Sequence, residues 1–311
     1  MLHKKPFSER VHKNRLTNKA SEVKITDFFL QAIINGLLMG GVYALASSGL
    51  SLVYGTMKIV NFCQGEFLML GMYCSFFIFA FVGLEPFISW PITMLAMFAL
   101  GAITYFACIR RVIHKTTLVQ VFMTFSLLLL FQNLALLFWK PDPRTIVTLY
   151  SDTSFSVYDL FLVHLPKLVT FILALGVMIA LHFFIKKSSW GLIIRATAEN
   201  HQAAALLGID TDRVYLLVYA LATAITGVAG ALLATFYPAS PFVGAVFIAY
   251  MFTVCVLGGL GNYLGAVTGG VVIGLTESLS AYFISPGLKS IGVFCVLILV
   301  LCIKQKGFRS K

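Results

Sequence analysis

Charge is what this sequence has least of. Aspartate and glutamate together number 12 in 311 residues, and charged residues of both signs make up 11%. A soluble domain carries about a quarter. With 59% hydrophobic residues and a mean hydropathy of +0.92, this scarcity points to a membrane protein. No G-x-x-x-x-G-K-[ST] stretch occurs, so the chain has no Walker-type ATP site of its own. Its six cysteines (Cys63, Cys74, Cys108, Cys255, Cys295 and Cys302) form no CxxC pair and have no His-rich companion spacing. That argues against a zinc centre, and no metal site is expected. The net charge is +11, but no basic face is interleaved with aromatics, so nucleic-acid binding is not the reading. A GxSx elbow and paired intramembrane aspartates are also missing, which leaves an intramembrane protease without its parts.

What is present is a series of long apolar runs. A helix needs about 20 apolar residues to cross the hydrocarbon. Candidate spans cover 28–55, 62–83, 87–109, 116–138, 161–185, 214–236, 244–260, 264–284 and 288–303. Unpaired backbone is too costly in lipid for anything but helices or a closed barrel, and runs of this length are not alternating strands. The expected fold is therefore an all-α polytopic helix bundle of about 8–10 spans in residues 28–303. A basic arm (1–27) precedes it and a basic tail (304–311) follows.

The lysines and arginines are clustered. Seven lie in residues 1–24, three are Arg110, Arg111 and Lys115, four fall between Lys186 and Arg213, and four follow residue 303. Basic clusters between spans mark the cytoplasmic side. Two spans separate the second cluster from the third and four separate the third from the tail, so all three fall on one side. The arm does not fit, because three spans lie between it and Arg110. Either 28–62 crosses twice as half-helices broken near its glycines, the arrangement favoured here because transporters use discontinuous helices, or the arm lies on the far side.

The chemistry-bearing residues are few. At membrane depth Asn61, Gln64, Glu66, Thr268, Thr276 and Glu277 are the candidates for lining a polar path. Each also has a structural alternative: a turn or cap for Asn61, a helix N-terminus for Glu66, a buried hydrogen bond for Glu277. Gly261, Gly265 and Gly269 form a spacing-four ridge that suits close helix packing or a gate, and Gly40 and Gly41 are a further pair. The polar passage 190–213 stands apart. Residues 190–207 favour helix, Gly208 is placed to end it in a left-handed conformation, and Asp210 or Thr211 is placed to cap the next span. Two readings of the passage stand: a helix inserted into a partner's groove, or one lying on the membrane surface.

Gln202-Ala203-Ala204, three residues and then Gly208 resembles the Glu-Ala-Ala-x-x-x-Gly coupling loop of ABC importer permeases. Gly41-Val42-Tyr43-Ala44-Leu45, Tyr54-Gly55 and Asn61-Phe62-x-x-Gly65-Glu66 resemble the start of the LivH-type permease of branched-chain amino-acid importers. Leu206 to Val214 and Val256 to Gly261 are similar to the same family, with all elements in the family's order. Gln202 stands where many importers have Glu, and Cys63-Gln64 replaces the usual Ala-His.

The resemblance implies a non-enzymatic permease subunit in a bacterial inner membrane. It also implies two cytoplasmic subunits that bind ATP and Mg, a LivM-like second permease or a second copy of this chain, and a substrate-binding protein. On that basis Arg195, Glu199, Gln202, Ala203, Ala204, Leu207 and Gly208 are the expected ATPase-coupling residues. Partner contact would bury Ala203, Ala204 and Leu207, and Arg195 would pair with Glu199 or with the ATPase rim. The alternative at this point is an ion-coupled carrier that uses Glu66 and Glu277.

Overall fold

The computed structural model describes residues 7–148, 150, 153–157 and 161–308. The side chains of the arm (1–27) and the tail (304–311) lie outside the described residues. Twelve α-helices are present among those described: α1 Phe7–Met57, α2 Gln64–Val82, α3 Pro86–Thr104, α4 Arg110–Val112, α5 Thr117–Trp139, α6 Leu165–Lys187, α7 Ser189–Glu199, α8 His201–Leu206, α9 Thr211–Leu233, α10 Val243–Gly258, α11 Tyr263–Phe283 and α12 Lys289–Phe308. A π-helical turn, Tyr105–Ile109, carries α3 into α4. Eight helical segments are long and apolar enough to cross a membrane, and α10 is a shorter apolar helix of 16 residues. The expected bundle is therefore present.

One expectation fails. The segment 28–62 does not cross twice: α1 runs unbroken through Gly36, Gly40 and Gly41. None of these glycines has a positive φ. They serve close approach instead. A Cβ on Gly36 would fall 2.8 Å from the Leu275 Cα, and one on Gly40 would fall 2.9 Å from the Gly270 carbonyl oxygen. The real break comes after Met57, where Lys58 takes φ 57°. α1 therefore enters the bundle once, at the end opposite Arg110.

The two ends are defined by their contacts. At one, Arg110 pairs with Asp212 and Tyr263 bonds His182. At the other, Phe29 packs on Phe283 and Arg144 bridges Ala239 through backbone bonds. A small antiparallel hairpin, β1 Ser154–Val157 and β2 Phe161–His164, lies at this second end. Gln31 holds it to α1 by bonding both the amide and the carbonyl of Leu162, at 2.8 and 2.6 Å. The span expected from 161 thus starts later, at Leu165, with Pro166 in the first turn. Proline is tolerated there because its missing N–H has no helical acceptor to lose.

α9 is the central post. Ala220, Ala222, Ala224, Gly227, Ala229 and Gly230 are all buried along it, and α1, α2 and α3 pack on it. Small side chains let helix backbones approach without the large residues a water-driven core requires. A Cβ on Gly71 of α2 would meet the Gly227 backbone, its Cα at 2.6 Å. The expected ridge on α11 is likewise used within the chain: Gly265 lies on the Gly258 carbonyl and Gly269 on that of Val254. Gly261 (φ 87°) turns the α10–α11 corner against Gly55.

Candidate functional site

The passage between α6 and α9 is two short helices rather than one. Asn200 takes an extended conformation, and its side chain accepts from the amides of Gln202 and Ala203, both at 3.0 Å. It ends α7 and caps α8, because an Asx oxygen satisfies the amides that a helix start leaves free. Ser188 caps α7 in the same way, accepting from Gly191 at 2.9 Å. Gly208 follows with φ 83°, as expected. Asp210 caps α9 by accepting from Arg213, and the helix begins at Thr211.

The exposed surface of this passage differs from the expectation. Ala204 is 3% exposed and already packed within the chain, so a partner cannot bury it further. Leu206 and Leu207 are instead 90% and 81% exposed. Ala203 and Gln202 are exposed beside them. Arg195 does not pair with Glu199; its guanidinium donates to the Ile185 carbonyl and fastens α7 beneath the end of α6.

Tyr105 and Asp212, which the sequence did not single out, link the passage to the bundle together with Arg110. The Tyr105 hydroxyl, in the π-helical turn, donates to the Asp212 carboxylate at 2.6 Å, and Arg110 pairs with it at 2.8 Å. The end of α3–α4 is thereby joined to the first turn of α9, directly after α8. Only the clustering of Arg110 and Arg111 opposite an acidic cap hinted at this. A polar cavity of about 320 Å³ opens at the same end, lined by Lys58, His114, Gln120, Glu199, His201 and Tyr215 among others. A second cavity, also about 320 Å³, opens at the opposite end beside Thr145, His164, Lys167, Thr235 and Tyr237.

Between the two ends a cluster of polar side chains is buried in the bundle. Asn61 and Gln64 are fully buried and bond each other at 2.9 Å. Gln64 also donates to Thr226 at 2.6 Å and to the Ala222 carbonyl at 3.1 Å. These two residues fix the start of α2 against α9. Glu66 is fully buried beside them, with neither carboxylate oxygen hydrogen-bonded among the described residues. It lies in the first turn of α2, at a helix N-terminus as the structural alternative has it, but without a capping hydrogen bond.

The other candidates do not join this cluster. Glu277 is buried elsewhere, where it accepts from the Tyr43 hydroxyl and pairs with Lys289 at 2.7 Å. Thr268 and Thr276 return their hydroxyls to their own helix, on the Gly265 and Val272 carbonyls. Gly41 faces the Phe171 ring and Gly40 faces α11.

Among the described residues no group of three or more His, Cys, Asp or Glu is arranged to hold a metal.

Residues 32–301 match the profile of the family described as "Branched-chain amino acid transport system / permease component". The chain is 34% identical over 304 residues to the high-affinity branched-chain amino acid transport system permease protein LivH of Salmonella typhimurium, covering 91% of this chain and 96% of that one. The Escherichia coli K12 LivH is 33% identical over the same shares. The BraD permease of Pseudomonas aeruginosa is 30% identical over 295 residues. No solved structure matches. Because the profile covers most of the chain and relatives above 30% identity cover 91% of it, this chain belongs to the branched-chain amino acid transport permease family.

Proposed function

We propose that this chain forms one half of the translocation path of an ATP-driven importer for leucine, isoleucine and valine or related amino acids in a bacterial cytoplasmic membrane. Two cytoplasmic subunits supply ATP and Mg chemistry, a LivM-like permease or a second copy of this chain supplies the other half, and a binding protein delivers cargo. The observation that carries this reading is the α7–α8 passage. It is a capped pair of helices that exposes Leu206 and Leu207 at the end where Asp212 joins α9 to the end of α3–α4. Two adjacent large apolar side chains at the end of α8 suit insertion into a partner's groove; Trp190 and Leu192 of α7 are exposed as well.

On this reading Gln202, Ala203, Leu206 and Leu207 meet the ATPase, Asn200 and Gly208 fix their presentation, and Ala204 and Arg195 hold the passage to the bundle. Movement of α8 reaches α9 through the cap at Asp210 and reaches α3 through Asp212. The spans then move as rigid bodies, opening the cavities at the two ends alternately.

The ion-coupled alternative loses its main support. Glu277 is neutralised by Lys289, and no hydrogen bond or ion pair joins it to Glu66 among the described residues. The test is uptake of labelled leucine, isoleucine and valine by proteoliposomes holding the complete set of subunits. Uptake is expected only with internal ATP and an intact ATPase. Uptake driven by a proton or sodium gradient without ATP refutes the reading.

A further inference from the structure

Glu66 has an unusual address. It is in the first turn of α2, and α2 and α10 enter the bundle from opposite ends. Their first turns lie against one another: a Cβ on Gly65 would strike the Gly244 carbonyl, and one on Gly244 would fall 2.6 and 2.9 Å from the two oxygens of Glu66. The carboxylate therefore lies on the bare Cα of Gly244, at the N-terminal end of α10. That end has amides without helical acceptors, and its N-cap residue, Phe242, contributes no side-chain bond. Helix N-termini attract anions. Yet Glu66 hydrogen-bonds nothing, is 0% exposed, and forms no ion pair among the described residues.

A charged carboxylate buried without a cation is costly, and ionisable residues at membrane depth mark substrate or ion pathways. Resting on the proposed function, we propose that Glu66 and the first turn of α10 form a zwitterion subsite in the path: Glu66 takes the ammonium group of the amino acid, and the amides of Gly244 and Ala245 take its carboxylate. The two charged ends of the cargo have opposite needs. This junction offers a carboxylate and a set of free amides side by side. In the closed arrangement Glu66 lies on the α10 turn itself. When α2 and α10 separate, the cargo's carboxylate replaces it there and its ammonium group pairs with it. Gly244 is the residue that permits both states, since any side chain would occupy the junction.

The test uses the complete importer in proteoliposomes, with leucine as cargo. Glu66→Gln keeps shape and removes charge, so uptake is expected to fall at least about tenfold, the size of a lost hydrogen bond to a charged group. Glu66→Asp should fall between Glu66→Gln and the parent. A hydrophobic carbodiimide that labels buried carboxyls, followed by peptide mass spectrometry, should modify Glu66 in the parent at least about fivefold more slowly when binding protein and leucine are saturating. A purely structural carboxylate would show no such protection.

Uptake by Glu66→Gln within twofold of the parent overturns the proposal. If that variant fails to assemble, protection in the parent decides, and labelling that leucine leaves unchanged overturns it. A parent importer that takes up no branched-chain amino acid overturns the proposed function itself, which is a separate result.

Discussion

Asp212 receives two groups from another helix: the Tyr105 hydroxyl at 2.6 Å and the Arg110 guanidinium at 2.8 Å. The acid lies one residue into α9, directly after the exposed α7–α8 passage. The two donors are the first residue of the π-helical turn and the first residue of α4, so that turn brings Tyr105 and Arg110 to one side. π-helical turns often mark functional positions, and here the turn sets the geometry of a join between two helices.

That join should matter for both stability and coupling. The ion pair is partly exposed and contributes at most about 1 kcal/mol; the tyrosine hydrogen bond to a charged group contributes about 1.5–3 kcal/mol before screening. Asp212→Asn keeps an acceptor for Tyr105 and should lower the melting temperature less than Asp212→Ala. In both variants ATP hydrolysis should lose part of its link to uptake. Identical melting curves for all three proteins in detergent would dismiss the join as decoration.

Docking of the ATPase should depend on Leu206 and Leu207 rather than on Ala204. Leu206→Ser combined with Leu207→Ser removes exposed apolar surface and is expected to abolish copurification while the spans stay inserted. Ala204→Glu places a charge in a position 3% exposed and should instead disturb the α7–α8 fold. If the double serine variant copurifies at full strength, the passage is a membrane-surface element.

The α1–α11 seam should be intolerant of bulk. A Cβ on Gly270 would lie 2.6 Å from the Ala44 amide nitrogen, so Gly270→Val is expected to cost about 1–3 kcal/mol by overpacking. Gly176 has nothing within 4 Å, and Gly176→Ala should be neutral or stabilising by up to about 1 kcal/mol from helix propensity. Thermal unfolding in detergent separates the two; equal effects would show that the close approach is not there.

Glu277 and Lys289 should behave as a pair. Glu277→Gln leaves a half-buried ammonium without its counter-charge, a defect that costs about 3–5 kcal/mol when a pair is fully buried and less here. Glu277→Gln with Lys289→Met should recover most of that loss. A double variant as unstable as the single one would show that the two residues act independently.

Phe28, at the start of the first span, and Gln202, in the passage, should lie on opposite faces of the membrane. Cysteine placed at each position in turn, labelled with an impermeant maleimide in right-side-out vesicles, should react at 28 and not at 202. Reaction of both from one side would contradict the single crossing of α1.

Much of the bundle was legible in the sequence because lipid leaves so few options. Eight of the nine runs became helices long enough to span, and the ninth became α10, shorter because Gly259 and Gly261 turn the chain back. Helix termini set by local chemistry were legible too: Gly208 in its left-handed conformation, Asp210 as a cap. The break at Asn200 was not foreseen, although its side chain supplies the mechanism. The reading of Gly36, Gly40 and Gly41 as a helix break failed because glycine has two uses in a membrane helix, bending and close approach, and the sequence of one helix cannot say which.

The site divides in the same way. That Asn61, Gln64, Glu66 and Glu277 are buried polar groups followed from their neighbours in the chain. That the first two tie α2 to α9, that Glu277 is matched by Lys289, and that Glu66 is left without a partner beside Gly244 depended on which helices meet. Hydropathy and spacing act along the chain and act before any packing, so the sequence by itself determined a membrane bundle with one polar passage and its family. Which polar group finds a partner is decided between helices far apart in sequence, where a single missing Cβ sets the contact, and only the tertiary structure decided that.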